Sequence, residues 1–320
     1  MQPVTLSGLL LLLAHVGQHL ASAAPVGPCA VLPNVTAFFV DLDGTMYHPG
    51  GLIDGAKQFV SWLEATGRQF VFLSNSGAKG IDGVQAKFMT PPYKLQETPI
   101  QLDQAYTAAT SVAEYLRDTA PPGSRLFIVQ GSATYGDTTD SFVRVMRRVV
   151  PAEILATWEW RTDINDTEAA AWAAASSAGA KPTFVVLSDD GRIGDVDGDP
   201  VTGKKGYSDW SYDLLAHAQQ LLENNATMIQ QAPDAAPFPQ RSKAHPGLVL
   251  DTPGPGPFAQ LLKAAIYPRG LDQSFCTGKG GNLGSKYMYA KGLELLRKQG
   301  FKGGLANIAM VGDVLQTDIK

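Results

Sequence analysis

Ala37-Phe38-Phe39-Val40-Asp41-Leu42-Asp43-Gly44-Thr45 is the stretch on which the fold turns. Its first four residues are continuously apolar, the pattern of a strand buried on both faces of a parallel sheet, and they run straight into acid and glycine. A helix is expected soon after. Asp54 can cap it, Phe59, Trp62 and Leu63 supply an apolar face, and Gly67 stops it before a second apolar run, Phe70 to Leu73. Strand, helix and strand make a βαβ unit. Near the other end, Tyr287 to Gln299 reads as a helix stopped by Gly300, and Ile308 to Val311 as another buried strand running into Gly312-Asp313. The two ends therefore belong to one doubly wound, mainly parallel sheet, a Rossmann-like α/β core.

Between them lie strand candidates at Arg125 to Gln130, Thr183 to Leu187 and Thr227 to Gln230. They alternate with helix-like stretches at Thr107 to Arg117, Thr167 to Ser177 and Tyr212 to Glu223, which predicts a second α/β domain. Pro233 to Pro257 is proline-rich and ends in Pro253-Gly254-Pro255-Gly256-Pro257, so part of it must be irregular. Asp195, Asp197 and Asp199 alternate in a glycine-rich loop, but no Glu follows at the EF-hand position, and a solvated loop is the better reading.

With 320 residues and 44% of them hydrophobic, the chain can build two cores. A net charge of −4 argues against a nucleic-acid surface, which needs clustered Lys and Arg. Arg144, Arg147 and Arg148 form the one compact basic cluster and read as a solvated helix face. Cys29 and Cys276 are too few for a disulfide scaffold and are not spaced as a zinc site; a single disulfide between them stays open.

At the N-terminus, Leu9 to Leu13 followed by Ala21-Ser22-Ala23 suggests a cleaved leader over residues 1–23, hence a secretory or organellar route, with a cytoplasmic protein as the alternative. The run is too short to span a bilayer, so no stable membrane span is expected in the mature chain. Sequons at Asn34, Asn165 and Asn225 follow that expectation.

Ligands of open α/β sheets collect at the carboxyl ends of the strands, and three predicted strands end in polar clusters. The first holds Asp41 and Asp43, two carboxylates two residues apart that can face one pocket. The second is Ser74-Asn75-Ser76. The third is Gly312-Asp313, with Thr317-Asp318 about one helical turn later. Each alone has a bland reading as a turn or a helix cap.

In order, these clusters resemble the motifs of the haloacid dehalogenase superfamily of aspartate-nucleophile phosphatases: Asp-x-Asp-Gly-Thr, a strand-end Ser or Thr, a Lys and a final acidic pair. Leu73-Ser74-Asn75-Ser76 and Gly312-Asp313 through Thr317-Asp318-Ile319 are most similar to the p-nitrophenyl phosphatase and phosphoglycolate phosphatase branch. The resemblance covers about Ala37 to Asn75 and Gly278 to Lys320. It implies a Mg²⁺-dependent hydrolase of small phosphorylated metabolites that acts through an aspartyl-phosphate.

Asp41 would then be the nucleophile and Asp43 the general acid and base. Mg²⁺ would be held by Asp41, the backbone of Asp43, and Asp313, with Asp318 supporting the metal's water shell or the lysine. Ser74 and Asn75 would bind phosphate together with Lys279, which keeps a Gly-Lys context. Several residues are inserted after it, so Lys286 is the second candidate. The resemblance also implies a large α/β cap between Ser76 and Lys279, with Asp234 as a substrate-side residue, or merely a turn aspartate beside Pro233.

The expected domains are a core of residues 24–79 and 276–320 and a cap of residues 80–275. Self-association through the cap stays open. The resemblance implies further strand and helix after Lys320, so the sequence reads as truncated. The altered lysine region motivates an alternative, a catalytically weak member that serves as a binding or interaction protein.

Overall fold

A computed structural model describes residues 34–48, 50–75, 80–96, 99–129, 142–188, 212–234, 239–241, 249–251, 255–266 and 273–318. The leader over residues 1–23, Cys29, Ser76 and the loop of Asp195, Asp197 and Asp199 lie outside the described residues.

The strands in chain order are β1 (Ala37–Val40), β2 (Tyr47–His48), β3 (Gly51–Leu52), β4 (Gln69–Ser74), β5 (Ala105–Thr107), β6 (Arg125–Val129) and β7 (Glu159–Arg161). They continue as β8 (Thr183–Leu187), β9 (Thr227–Gln230), β10 (Pro239–Arg241), β11 (Val249–Asp251), β12 (Ser274–Cys276) and β13 (Ile308–Val311). Two parallel sheets dominate. One has the order β13-β1-β4-β5 and the other β12-β9-β8-β6-β7.

The apolar runs explain both sheets. Every residue of β1, and Phe70 to Ser74 of β4, are buried, as are all five of β8. Strands buried on both faces need helices on both faces, and each side chain such as Phe70 or Phe72 contributes about 1.5–3 kcal/mol by leaving water. In the first sheet, the helix Ala56–Ala65 covers one face through Val60 and Leu63, and the helix Ala290–Lys298 covers the other through Leu295 and Leu296. The second sheet is covered by Ala108–Thr119 and Phe142–Val149 on one face and by Asp166–Ser177 and Tyr212–Glu223 on the other.

Several expectations are corrected. Gly55, in the left-handed region with φ 92°, caps the helix Ala56–Ala65, and no side-chain bond from Asp54 is involved. Sheet membership also moves both domain limits. Ala105–Thr107 pairs with Phe72–Ser74 and the helix Ile81–Met89 packs on the same core through Val84 and Phe88, whereas Ser274–Cys276 pairs with Met228–Gln230 of the second sheet. The basic cluster is not simply solvated. Arg144 and Arg148 both reach the Asp82 carboxylate, at 2.7 and 2.6 Å, and tie the two bodies together, while the Arg147 guanidinium lies 5.2 Å from the Trp160 ring centre.

Two sequons serve local structure. The Asn165 side chain accepts the Glu168 amide at 3.0 Å as a helix cap, and Asn225 takes a turn conformation at φ 67°. The proline-rich stretch is partly ordered: β10 and β11 pair antiparallel, and Pro255 opens the helix Pro255–Ala265, where its missing N–H costs nothing. Among the described residues, no helix is long and apolar enough to cross a membrane.

Candidate active site

Asp41 is fixed at the end of β1 because its amide continues the sheet, donating to the Val311 carbonyl at 2.8 Å. The chain then closes a tight turn in which the amides of Met46 and Tyr47 both donate to the Leu42 carbonyl, at 2.8 and 3.2 Å, and Gly44 N–H donates to Tyr47 at 2.8 Å. Gly44 has φ 79°, and a Cβ there would stand 2.1 Å from Asp313 Oδ2. Only glycine lets the Asp313 loop come this close. Thr45 Oγ1 faces Asp313 Oδ1 at 3.5 Å.

Lys279 joins the strand ends. Its Nζ lies 2.5 Å from both Asp41 Oδ1 and Asp318 Oδ1, and all three side chains are almost wholly buried. Asp318 is itself held, since its Oδ2 accepts the Val314 amide at 3.1 Å and the Tyr289 hydroxyl donates to the Thr317 and Asp318 carbonyls at 2.9 and 3.2 Å. Lys286 is exposed, with its ammonium 5.2 Å from the Tyr287 ring centre. The geometry therefore selects Lys279.

The inserted residues form a compact loop: Gly281 N–H donates to Gly278 at 3.0 Å, Leu283 N–H to Cys276 at 2.9 Å and Gly284 N–H to Gly281 at 3.1 Å. A Cβ at Gly281 would lie 2.4 Å from the Cys276 carbonyl oxygen, so this self-closing loop also depends on glycine. The insertion folds onto itself and leaves Lys279 in place.

Asn75 is tied to the lysine loop by its side chain. Its Oδ1 accepts the Lys279 amide at 2.8 Å, and its Nδ2 donates to the Lys279 carbonyl and to Asp234 Oδ1, both at 3.2 Å. With both ends of its side-chain amide engaged in this way, Asn75 is a strut for the lysine loop. Gln231 Nε2 reinforces it by donating to the Asn75 carbonyl at 3.1 Å. Asp234 thus stands at the site's edge, in contact with Asn75.

Ser74 Oγ donates to Asp43 Oδ2 at 3.4 Å, and the Tyr47 hydroxyl also bonds the Asp43 carboxylate. Burial raises the Asp43 carboxyl above the usual range, against the pull of Lys87. Asp41 is pushed up to about 7, chiefly by burial, with Asp318 adding to the rise and Lys279 opposing it. Burial alone would depress Lys279, but Asp41 and Asp318 reverse that and raise it, so it stays charged.

One buried ammonium between two buried carboxylates leaves room for a further cation. Carboxylate oxygens of Asp41, Asp313 and Asp318 all lie within 4.8 Å of one another, a hard-oxygen set that suits Mg²⁺. The sequence assigns Asp318 only a supporting place, yet its carboxylate belongs to this group. The carboxylate of Asp43 is not part of it, because it turns toward Ser74 and Tyr47.

Sequence reasoning missed Tyr47, Lys87, Gln231 and Tyr289. Tyr47 carried a usable signal, its place just beyond the acidic turn. Lys87 and Tyr289 carried none, since an isolated lysine or tyrosine in a helical pattern is ordinary.

The profile of the haloacid dehalogenase-like hydrolases matches residues 38–138, which span the first acidic turn, β4 and β5. The chain is 25% identical to an acid sugar phosphatase of Staphylococcus aureus over 287 residues, covering 88% of this chain and 80% of that protein. Over these residues the chain is similar to the haloacid dehalogenase-like hydrolases. An acid sugar phosphatase of Staphylococcus saprophyticus is 32% identical over 101 residues, 32% of this chain and 37% of that protein. In fold, the chain resembles the 4-nitrophenylphosphatase of Thermotoga maritima, with a TM-score of 0.54 and 20% identity over 90% of this chain and 82% of that one. The chain thus carries its candidate site where both sheets present strand ends.

Proposed function

We propose that this phosphatase hydrolyses small phosphate monoesters, sugar phosphates foremost, by way of a phosphoryl group carried on Asp41. The observation that carries the reading is the Lys279 ammonium set between Asp41 and Asp318 beside Asp43 and Asp313. It supplies a nucleophile, its neutralising cation and an independently oriented acid side by side. The sugar preference is supported by the acid sugar phosphatases among its relatives.

In the first half-reaction an Asp41 oxygen attacks phosphorus in line, the bond to the leaving oxygen breaks, and Asp43 gives that oxygen its proton. In the second, Asp43 takes a proton from water, the resulting nucleophile attacks phosphorus, and the bond to Asp41 breaks. Inorganic phosphate leaves and the Asp41 carboxylate is restored. The raised Asp43 carboxyl suits this exchange, because it can hold a proton nearer neutral pH than an ordinary aspartate. Lys279 and Ser74 would stabilise the charge on the transferring group. Mg²⁺ held by Asp41, Asp313 and Asp318 would supply positive charge to the phosphoryl oxygens and draw Asp41 into its ionised form.

The test is hydrolysis of p-nitrophenyl phosphate and a panel of sugar phosphates with Mg²⁺ or with EDTA, using the wild-type chain and Asp41→Asn. Activity in the wild type, loss with EDTA and a fall of at least about 10³-fold in Asp41→Asn are expected. Turnover that survives Asp41→Asn would sink the nucleophile assignment. A wild type that binds sugar phosphates without turning them over would instead favour the binding-protein alternative.

A further inference from the structure

Asp43 is the most demanding group in the proposed chemistry, because its carboxyl must point at the leaving oxygen and then at the attacking water. Its chain neighbours set where it starts. Asp43 bridges to Tyr47 across the turn, and Tyr47 opens the β2–β3 hairpin, pairing with Leu52. The Tyr47 ring is 4% exposed, and its hydroxyl donates to the Asp43 carboxylate, the acceptor that a buried phenol needs.

That ring is held on both sides. Lys87, from the helix Ile81–Met89, places Nζ 3.3 Å from the Tyr47 ring centre and 4.6 Å from that of Tyr93. Tyr93 packs edge-on to Tyr47 at 5.6 Å, and Phe88 does the same at 5.9 Å. A cation over an aromatic face is attracted to its quadrupole, and here the same cation lies close enough to Asp43 to act on its charge. None of the four residues touches Lys279 through these contacts. The arrangement packs against the acidic turn from the side of Asp43.

We propose that Tyr47 and Lys87 are positioning residues for Asp43: the Tyr47 hydroxyl aims its carboxyl, and Lys87, lying over the Tyr47 ring, locks that ring in place. This rests on the phosphatase reading above. If it is right, losing either residue weakens proton delivery to the leaving group and spares the attack by Asp41. The two are separable by leaving group. A p-nitrophenolate departs without a proton, whereas the alkoxide of a sugar phosphate needs one.

The experiment compares kcat/KM, which reports only steps through formation of the phosphorylated enzyme, for p-nitrophenyl phosphate and a sugar phosphate. It uses the full chain with Mg²⁺ in the wild type, Tyr47→Phe, Lys87→Met and Lys87→Arg, each with its melting temperature. For Tyr47→Phe the sugar phosphate value should fall at least about tenfold and the p-nitrophenyl phosphate value less than about threefold. Lys87→Met should show the same skew to a smaller degree, and Lys87→Arg should restore much of it, since a guanidinium can also stack on the ring.

Equal losses on both substrates, or none, overturn the proposal. Should Tyr47→Phe fail to fold, the half-exposed Lys87 variants decide the matter by the same skew. A wild type inactive on every ester refutes the phosphatase reading itself, and an active wild type with unskewed variants refutes only this inference.

Discussion

The two sheets are built alike and end differently. Both are parallel, both carry continuous apolar strands, and both are covered by helices on two faces. Yet β1, β4 and β13 end in Asp41 and Asp43, Ser74 and Asn75, and Asp313 with Asp318, whereas β12 and β9 of the second sheet lead to Lys279 and Asp234. The first sheet supplies an excess of buried carboxylates and the second supplies the ammonium. Neither set is stable alone, because an unpaired buried charge costs several kcal/mol. The site is therefore also a joint: pairing its charges requires the two bodies to dock.

The largest break of that joint is Lys279→Met. It leaves Asp41 and Asp318 buried without their cation, so stability should fall by about 3–5 kcal/mol, and activity should be lost. Urea unfolding monitored by circular dichroism, beside the p-nitrophenyl phosphate assay, checks both. A stable Lys279→Met chain would mean that the two sheets do not depend on this charge.

Next comes pH. The Asp41 carboxyl is raised in the folded state, to about 7, so between its unfolded value of 3.8 and 7 the folded chain binds more protons than the unfolded one. Its contribution to the stability of the metal-free chain is fully present below the unfolded value. That contribution is lost as pH rises to 7, with a slope of at most about 1.4 kcal/mol per pH unit from this group. Urea midpoints at several pH values in EDTA measure it. Repeating the series with Mg²⁺ should flatten the slope.

Asn75→Ala sharpens the comparison without removing a charged side chain. It removes the strut between β4 and the lysine loop, with an expected loss of about 1–3 kcal/mol and a lower kcat, since Lys279 is then held less firmly. The smallest effect is expected for Lys286→Ala, within about 0.5 kcal/mol and with unchanged turnover, because this exposed lysine touches neither sheet end.

The legible parts of the molecule were those written locally. The strands Ala37–Val40, Thr183–Leu187, Thr227–Gln230 and Ile308–Val311 stand where apolar runs predict them, as does the helix Tyr212–Glu223. What escaped were elements whose signal lies in their neighbours. β5 is three residues long and exists because β4 pairs with it, and β12 belongs to the second sheet because β9 lies beside it. The helix Ile81–Met89 contains Gly83 and offers little periodic signal. Asn75 shows the same limit within the site. Its place after a strand marked it as polar and near the chemistry, but its partners come from residues 234 and 279, and no local rule brings them there.

By itself, the sequence determined the α/β class, the strand-end clusters and the order in which they follow one another. Apolar runs bury wherever they can, and acid or glycine after them ends a strand. Only the tertiary structure decided that Lys279 rather than Lys286 meets Asp41, that Asp318 joins the group of carboxylates, and that Tyr47 and Lys87 gather about Asp43. The physical reason is range. Hydrophobic patterning is read within a few residues, whereas a buried charge is satisfied by whichever opposite charge the packed sheets bring within hydrogen-bonding distance.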